Sequence, residues 1–320
     1  MPDSNFPAAP PLDPRKFKHP DVTAGGETRA AVPLAELKTL WFNTGSLCNL
    51  ACVGCYMESS PANDRLAYIT TAEAAAYLDE IRDTRLPVEE IGFTGGEPFM
   101  NPDFIAMLEL ALSRGFKALV LTNAMKPMDH KRDELLRLKA GYGGELSIRV
   151  SIDHPTRAHH EELRGPGSWG PMIDGVKWLG GNGFNLAIAG RTRWEETEEQ
   201  ARRAYAKLFA ELEISVDASD PAALVLFPEM DETLDVPEIT AACWDILGVH
   251  PDHMMCATSR MVIKRKGAGA PMVAPCTLLP YDTRFEMGGT LADAAGAVKL
   301  NHPHCARFCV LGGGACSVQA

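Results

Sequence analysis

Apolar positions along the chain recur with two spacings, one typical of strands and one typical of amphipathic helices. Six short apolar runs predict strands, and a polar or glycine-rich segment follows each of them. The runs are 38–43, 90–94, 117–122, 146–152, 185–190 and 223–227. The clearest helix is predicted over 195–212, where Ala201, Tyr205 and Leu208 share one apolar stripe. Further helices are predicted near 130–138, 156–163, 171–179 and 237–247.

Strand and helix alternate over about 200 residues, which is the βαβ pattern of a parallel sheet. Six units are too few for a complete eight-unit barrel. The predicted fold class is therefore α/β, a partial (β/α)6 TIM-type barrel with a cysteine-rich C-terminal extension. We expect a proline-rich arm over 1–35, irregular or mobile, then the barrel over 36–249 and the extension over 250–320.

Charge and cysteine content narrow the class of protein. The 320 residues carry a formal net charge of −11, which argues against binding nucleic acid through its phosphates. The N-terminal segment has no apolar signal core, and no apolar run approaches the ~20 residues of a membrane span. We therefore expect a cytoplasmic protein without membrane or nucleic-acid partners. The nine cysteines then point to metal binding or catalysis rather than to disulfides.

The strongest chemical signal is the spacing Cys48-x3-Cys52-x2-Cys55, followed by Tyr56, directly after the first strand. Thiolates select iron–sulfur clusters, zinc or Cu(I). A cubane cluster normally takes four protein thiolates, so three would leave one iron open to a substrate or cofactor. A structural zinc site would need a fourth ligand, and no histidine stands near this loop in the sequence. A redox pair of Cys52 and Cys55 would leave Cys48 unexplained.

This cysteine loop, placed after the first strand of a βα array, resembles that of the radical S-adenosylmethionine (SAM) superfamily. The run Thr94–Pro98 (TGGEP), at the end of the second strand, resembles the GGE motif of that superfamily. The resemblance covers about residues 38–227. It implies a catalytic 4Fe–4S cluster on Cys48, Cys52 and Cys55, whose open iron chelates the amino and carboxylate groups of SAM. It also implies cleavage of SAM to a 5′-deoxyadenosyl radical that abstracts a substrate hydrogen, with an external electron donor of flavodoxin or ferredoxin type.

The resemblance further implies contacts with SAM at the strand ends. Gly95 and Gly96 would offer backbone carbonyls to the methionine amino group, and Glu97 would fix the turn. The run RVSID, with a later LRG, resembles the SLD…RG stretch of radical SAM peptide maturases, in which the serine and arginine bind SAM. The implied contacts are Tyr56, Gly95, Gly96, Glu97, Asn123, Ser151, Asp153 and Arg164. A plain turn, a capping serine and a surface ion pair are the structural alternatives.

Five further cysteines form a second constellation in a glycine- and proline-rich segment. They are Cys256, Cys276, Cys305, Cys309 and Cys316. The segment resembles the SPASM and twitch extensions that carry auxiliary iron–sulfur clusters in many radical SAM enzymes. Five cysteines suffice for one 4Fe–4S cluster with one to spare, and a structural zinc knot is the alternative. His302 and His304 are either ligands or ordinary loop residues, and Cys243 is interpreted as a buried apolar residue.

The leading functional hypothesis is a radical SAM oxidoreductase or maturase that acts on a peptide or a small molecule. One alternative is a transferase of a SAM fragment, of the 3-amino-3-carboxypropyl type, and another is a non-enzymatic zinc- or cluster-binding module. The short proline-rich N-terminal segment slightly favours a small substrate, whereas RVSID and the extension resemble peptide maturases. Charged residues at the ends of the last two predicted strands are candidate substrate ligands by position. They are Arg191, Arg193, Glu229 and Asp231.

Overall fold

The computed structural model describes residues 10–314, and its centre is a sheet of eight strands in the order β7-β6-β5-β4-β3-β2-β8-β9. The strands are β1 (Ala31–Val32), β2 (Thr39–Asn43), β3 (Glu90–Thr94), β4 (Lys117–Thr122), β5 (Leu146–Ser151), β6 (Asn185–Arg191), β7 (Leu224–Phe227), β8 (Ser259–Ile263), β9 (Met272–Ala274) and β10 (Val298–Lys299). Neighbours from β7 through β8 pair in parallel, while β9 pairs antiparallel to β8. Strands β1 and β10 form a separate antiparallel pair.

Helices connect the parallel strands. They are α1 (Thr71–Thr84), α2 (Phe104–Ser113), α3 (Lys126–Asp129), α4 (Arg132–Tyr142), α5 (Arg157–Arg164), α6 (Trp169–Gly181), α7 (Glu198–Leu212), α8 (Cys243–Leu247) and α9 (Met255–Thr258). Capping boxes begin two of the longest: Thr70 with Glu73 begins α1, and Thr197 with Gln200 begins α7. No helix within residues 10–314 is long and apolar enough to cross a membrane.

The two faces of the sheet are buried in two different apolar clusters. Alternate strand residues such as Phe42, Phe93 and Val120 pack with α1, α2, α4, α6 and α7 in one cluster. The residues between them, such as Trp41 and Leu119, belong to a second cluster built with the arm and the C-terminal segment. Because strand side chains alternate, a sheet covered on both faces needs apolar residues at successive positions, as these strands have.

The structure confirms the α/β partial barrel and all six predicted strands, which are β2 to β7. It adds β8, which lies beside β2 from Thr39 opposite Ser259 to Phe42 opposite Val262. The sequence analysis did not predict this strand. The sheet thus includes residues beyond the predicted boundary at 249, and the domain limits at 35 and 249 stay predictions.

The helix predicted over 237–247 is mostly absent: only Cys243–Leu247 is helical. The residues before it hydrogen-bond with the arm instead: Ala30 N donates to Ile239 O, and Ala241 N donates to Thr28 O. An extended segment paired in this way cannot also make the i to i−4 bonds of a helix.

The described part of the arm, residues 10–35, is irregular apart from β1 and packs against the rest of the protein. Phe17 is buried in the second apolar cluster. The buried guanidinium of Arg29 lies 2.5 Å from Glu238 and donates to Leu300 O at 3.1 Å. The arm therefore joins the barrel end to the C-terminal segment.

Candidate active site

A single cleft at the carboxyl edge of the parallel strands collects the residues that the sequence analysis proposed for the first cluster and SAM. The residues that line it include Cys48, Cys52, Cys55, Tyr56, Gly95, Gly96, Asn123, Ser151, Asp153 and Arg164. Glu97 is the exception, since it is buried behind the cleft. Parallel pairing explains this convergence, because the ends of neighbouring strands and their loops meet at one edge.

The cysteine loop is fixed to the strand ends on both sides. At its start, Thr44 N donates to Thr94 O at 2.8 Å, and Asn101 donates from its side chain to Thr44 O at 3.1 Å. Further along, Cys48 N donates to Ser60 O at 3.2 Å. These bonds hold the loop over the carboxyl ends of β2 and β3.

The three thiols are free and lie close enough to influence one another. Burial, with smaller contributions from Glu97, Cys52 and Cys55, raises the pKa of Cys48 to about 12. Burial also raises the pKa of Cys52, although Arg164 opposes this shift. With this pKa the Cys48 thiol is protonated in the metal-free chain and would lose its proton when a metal binds. Three converging thiols in one cleft fit a cluster with three protein ligands.

The GGE motif connects the turn after β3 to the cysteine loop. Gly96 N donates to Gly45 O at 2.8 Å, and Glu97 N donates to Leu47 O at 3.1 Å. A Cβ atom on Gly96 would lie 2.0 Å from Leu47 O, and Gly95 has φ +137°. Both positions therefore require glycine for packing against the cysteine loop, a constraint in addition to the implied contact with SAM.

Glu97 joins the turn after β3 to the end of β4. Its carboxylate accepts hydrogen bonds from the hydroxyl of Thr122 at 2.8 Å and from Asn123 N at 2.9 Å. Burial raises the pKa of Glu97 to about 7, against the opposing effect of these hydrogen bonds. The Asn123 side chain in turn donates to Asn49 Oδ1 at 2.9 Å, within the cysteine loop.

Arg164 and Asp153 form a buried, two-point ion pair in the wall of the cleft. Arg164 Nε and Nη2 donate to the two carboxylate oxygens at 2.6 and 3.1 Å. Burial opposes ionisation of Asp153, yet Arg164 holds the pKa of this carboxyl below its usual value. The guanidinium fork of Arg164 is thus occupied by Asp153, and the two residues line the cleft as a pair.

Of the four candidate substrate ligands after β6 and β7, three form ion pairs with one another and the fourth does not. Glu229 lies 2.7 Å from Arg191 and 3.2 Å from Arg193, and Arg191 also lines the cleft. Asp231 instead accepts hydrogen bonds from the backbone and hydroxyl of Thr233, which gives it a local role in the turn.

Two features of the site were missed in the sequence. Arg149 is buried within β5 and lines the cleft. A charged residue inside the apolar run LSIRVSI was the available signal, because a buried charge is costly without a partner or function. The second feature is the approach of Glu232 to His302 and His304. Burial lowers the pKa of these histidines, to about 3 for His302 and about 4 for His304.

The C-terminal cysteines within the described residues share one apolar cluster. Cys256, Cys276 and Cys305 are buried and Cys309 is half-buried. Burial raises the pKa of Cys305 to about 12, and nearby Cys256 adds to the shift. Cys316 lies outside the described residues. Cys243 is half-buried rather than buried, and its sulfur accepts a hydrogen bond from Thr240 N at 3.3 Å.

The sequence is similar to parts of two longer curated proteins. The Bacillus subtilis antilisterial bacteriocin subtilosin biosynthesis protein AlbA is 28% identical over 206 residues, which are 62% of this chain and 43% of AlbA. The AdoMet-dependent heme synthase of Nitratidesulfovibrio vulgaris is 31% identical over 147 residues, 44% of this chain and 36% of that enzyme. The chain thus spans less than half the length of these relatives.

The fold also matches a solved structure. Streptococcus suis SuiB bound to its precursor peptide SuiA aligns with a TM-score of 0.57 and 14% identity, over 80% of this chain and 63% of SuiB. At this identity the match shows the fold alone. The sequence profile of the radical SAM superfamily matches residues 42–221, which include the cysteine loop, the GGE motif and Arg164. The chain therefore belongs to the radical SAM superfamily.

Proposed function

We propose that this chain is a radical SAM oxidoreductase or maturase that holds a 4Fe–4S cluster on Cys48, Cys52 and Cys55. The observation that carries the proposal is the convergence of these three thiols with the strand-end residues in one cleft. When bound, the reduced cluster supplies an electron that breaks a C–S bond of SAM and gives a 5′-deoxyadenosyl radical for hydrogen abstraction. A flavodoxin- or ferredoxin-type protein is the proposed electron donor.

The proposed task of the surrounding residues is to orient SAM and to exclude water. Tyr56, Ser151 and Asn123 line the cleft with hydrogen-bonding groups. The Asp153–Arg164 pair adds a fixed charged surface, and Gly95 and Gly96 offer backbone. The buried carboxylate of Glu97 keeps the turn after β3 and the end of β4 in place.

We propose that the C-terminal segment, residues 250–320, binds an auxiliary 4Fe–4S cluster of the SPASM or twitch type. The candidate ligands are Cys256, Cys276, Cys305, Cys309 and Cys316. The gathering of four of these cysteines in one apolar cluster supports this proposal, because a cluster needs several thiolates in a low-dielectric setting. Zinc in the same site is the alternative, and metal analysis distinguishes the two.

We further propose a peptide substrate, although the N-terminal sequence slightly favours a small one. The name of AlbA refers to bacteriocin biosynthesis, and SuiB has been solved with a precursor peptide. Both names support the proposal by analogy, whereas the name of the heme synthase points to a small substrate.

The deciding experiment is anaerobic incubation of the cluster-loaded protein with SAM and dithionite, followed by identification of the products. We expect 5′-deoxyadenosine and methionine from the wild type, and neither from Cys52→Ala. Cys243→Ala is the matched control and should behave as the wild type. Methylthioadenosine would indicate transfer of a 3-amino-3-carboxypropyl fragment instead. If the wild type forms neither nucleoside, the enzyme proposal fails.

A further inference from the structure

A second cleft joins the active-site cleft along the cysteine loop. The two share Gly54, Cys55, Tyr56 and Met230 in their walls. The two clefts are therefore adjacent, and an extended molecule can contact both. The far wall of the second cleft carries Glu232, His302 and His304.

These three side chains face one another closely. Glu232 Oε2 lies 3.3 Å from Nε2 of His302 and 3.9 Å from Nε2 of His304. The two histidines are 8% and 6% exposed, whereas the Glu232 side chain is 60% exposed and reaches solvent. His304 Nδ1 is buried without a hydrogen-bond partner among the described residues.

The hydrogen bonding of His302 decides what the group can bind. Its Nδ1 accepts the backbone N–H of His304 at 3.1 Å. Because a neutral imidazole carries one proton, that proton is then on Nε2 and is directed at Glu232. His302 is therefore a donor that orients the carboxylate.

This geometry disfavours a metal ion, although the ligand atoms lie within 4.8 Å of one another. With its Nε2 protonated, His302 has no lone pair for a metal. Glu232 and His304 remain, which are fewer than the three or four protein ligands of zinc sites. A histidine that binds a metal through Nε2 also donates an N–H from Nδ1 to an acceptor. Within residues 10–314, Nδ1 of His302 instead accepts a hydrogen bond and Nδ1 of His304 has no partner.

The charge of the cleft favours an organic cation. Glu58 and Asp282 also line it, but Arg65 and Arg284 pair with them at 2.5 and 2.6 Å. Within the described part of the chain, no lysine or arginine lies within 4 Å of Glu232. The carboxylate is thus the one in this cleft wall whose charge remains for a bound group. His304 Nε2 stands 3.9 Å away and accepts a hydrogen bond in the tautomer that carries the proton on Nδ1.

We propose that Glu232, with His302 and His304, forms a subsite for the cationic side chain of the substrate, a lysine ammonium or an arginine guanidinium. The N–H donors of such a group can bridge Glu232 and His304 while His302 holds the carboxylate. This inference rests on the proposed peptide substrate, whose reacting residue would lie in the adjoining cleft beside the cysteine loop.

The test measures binding of short peptides to the cluster-loaded enzyme with SAM, under anaerobic conditions, by calorimetry. The probes are acetylated and amidated Gly-Gly-X-Gly-Gly peptides in which X is lysine, arginine or norleucine. We expect the lysine or arginine peptide to bind the wild type about three- to tenfold more tightly than norleucine. Glu232→Gln should remove this preference, and Glu211→Gln, an exposed glutamate on α7, should retain it.

Equal binding of the three peptides by the wild type would overturn the proposal, as would a preference that survives in Glu232→Gln. The wild type and Glu232→Gln are also dialysed against zinc. If the wild type retains one zinc per chain and Glu232→Gln retains none, the site binds a metal and the proposed cationic side chain is rejected. Formation of 5′-deoxyadenosine by the wild type without peptide is measured separately. Its absence would reject the proposed radical chemistry whatever the peptides show.

Discussion

At the scale of single residues, the turn after β3 depends on contacts that allow almost no change. Gly96 has no space for a side chain, since a Cβ atom would meet the backbone of Leu47 at 2.0 Å. The Glu97 carboxylate accepts hydrogen bonds from Thr122 and Asn123, which hold it in place. Both residues hold the cysteine loop relative to the strand ends, so changes here should affect the cluster as well as the fold.

Gly96→Ala should displace the cysteine loop and abolish formation of 5′-deoxyadenosine. We expect a loss of at least about 2 kcal/mol in the free energy of unfolding, because the clash is with backbone that cannot move freely. Gly141→Ala is the matched control, in α4, where a Cβ atom meets nothing within 4 Å. It should keep activity and gain up to about 1 kcal/mol. Full activity in Gly96→Ala would contradict the packing role.

The raised pKa of Glu97 predicts the direction in which the free energy of unfolding changes with pH. With a folded pKa of about 7 and an ordinary pKa of 4.5 in the unfolded chain, Glu97 binds more protons in the native state than in the unfolded state between these pH values. This group therefore makes stability fall as pH rises from about 4.5 to 7, by up to about 3 kcal/mol. Urea titrations across this pH range measure the free energy of unfolding of the wild type and of Glu97→Gln. The difference between the two profiles should show the fall.

Glu109→Gln is the control for that measurement. Its hydrogen bond from Arg137 lowers the pKa of Glu109, so its contribution should rise with pH only below about 4.5, stay nearly constant from 4.5 to 7 and be small at this exposed site. A Glu97→Gln difference that is flat with pH would refute the assignment.

At the scale of elements, the arm and the segment before α8 depend on each other. The arm's backbone pairs with Ile239 and Ala241, and Arg29 is buried against Glu238. This pairing explains why residues before Cys243 are extended although their apolar pattern predicts a helix. The arm also reaches the C-terminal segment through β1 and β10.

Arg29→Met should destabilise the protein by about 3–5 kcal/mol, because it leaves the Glu238 carboxylate buried without its cation. Arg15→Met is the control, since its ion pair with Asp13 is on the surface, where solvent screens it, and should contribute little to stability. Urea unfolding of both variants measures the difference. Equal costs in the two would show that the buried pair does not anchor the arm.

At the scale of the whole molecule, the cysteines proposed as cluster ligands divide, within residues 10–314, into those that line the cleft and those of the C-terminal segment. Cys48, Cys52 and Cys55 line the cleft at the carboxyl edge of the sheet. The buried C-terminal cysteines belong to the apolar cluster that includes Met261 of β8 and Leu300. If both groups bind clusters, each should load without the other.

Cys305→Ala should lower the iron content from ~8 to ~4 per chain, as expected for the loss of one of two cubanes. Formation of 5′-deoxyadenosine should continue, because the first cluster keeps its three ligands. Cys243→Ala should keep all of its iron. Iron analysis with product identification is the measurement, and stoichiometric zinc in the wild type would favour the zinc knot.

The sequence by itself determined the barrel strands and the first cysteine site, because both depend on local patterns. Apolar runs ending at Asn43, Thr94 and Thr122 predict strands, and parallel strands bring their carboxyl ends together. The spacing from Cys48 to Cys55 and the GGE run lie within short segments, so their chemistry is visible without a fold. The strand-end residues Asn123, Ser151 and Asp153 follow from the same rule.

Only the tertiary structure decided the features that join distant parts of the chain. The place of β8 beside β2, more than 200 residues earlier, depends on sheet pairing that no local pattern records. The pairing of Arg164 with Asp153, and the contact of Glu232 with His302, likewise could be seen only in the tertiary structure. The physical reason is common to all three: charge complementarity, hydrogen bonding and burial act between residues that are near in space, whereas propensity and spacing act only along the chain.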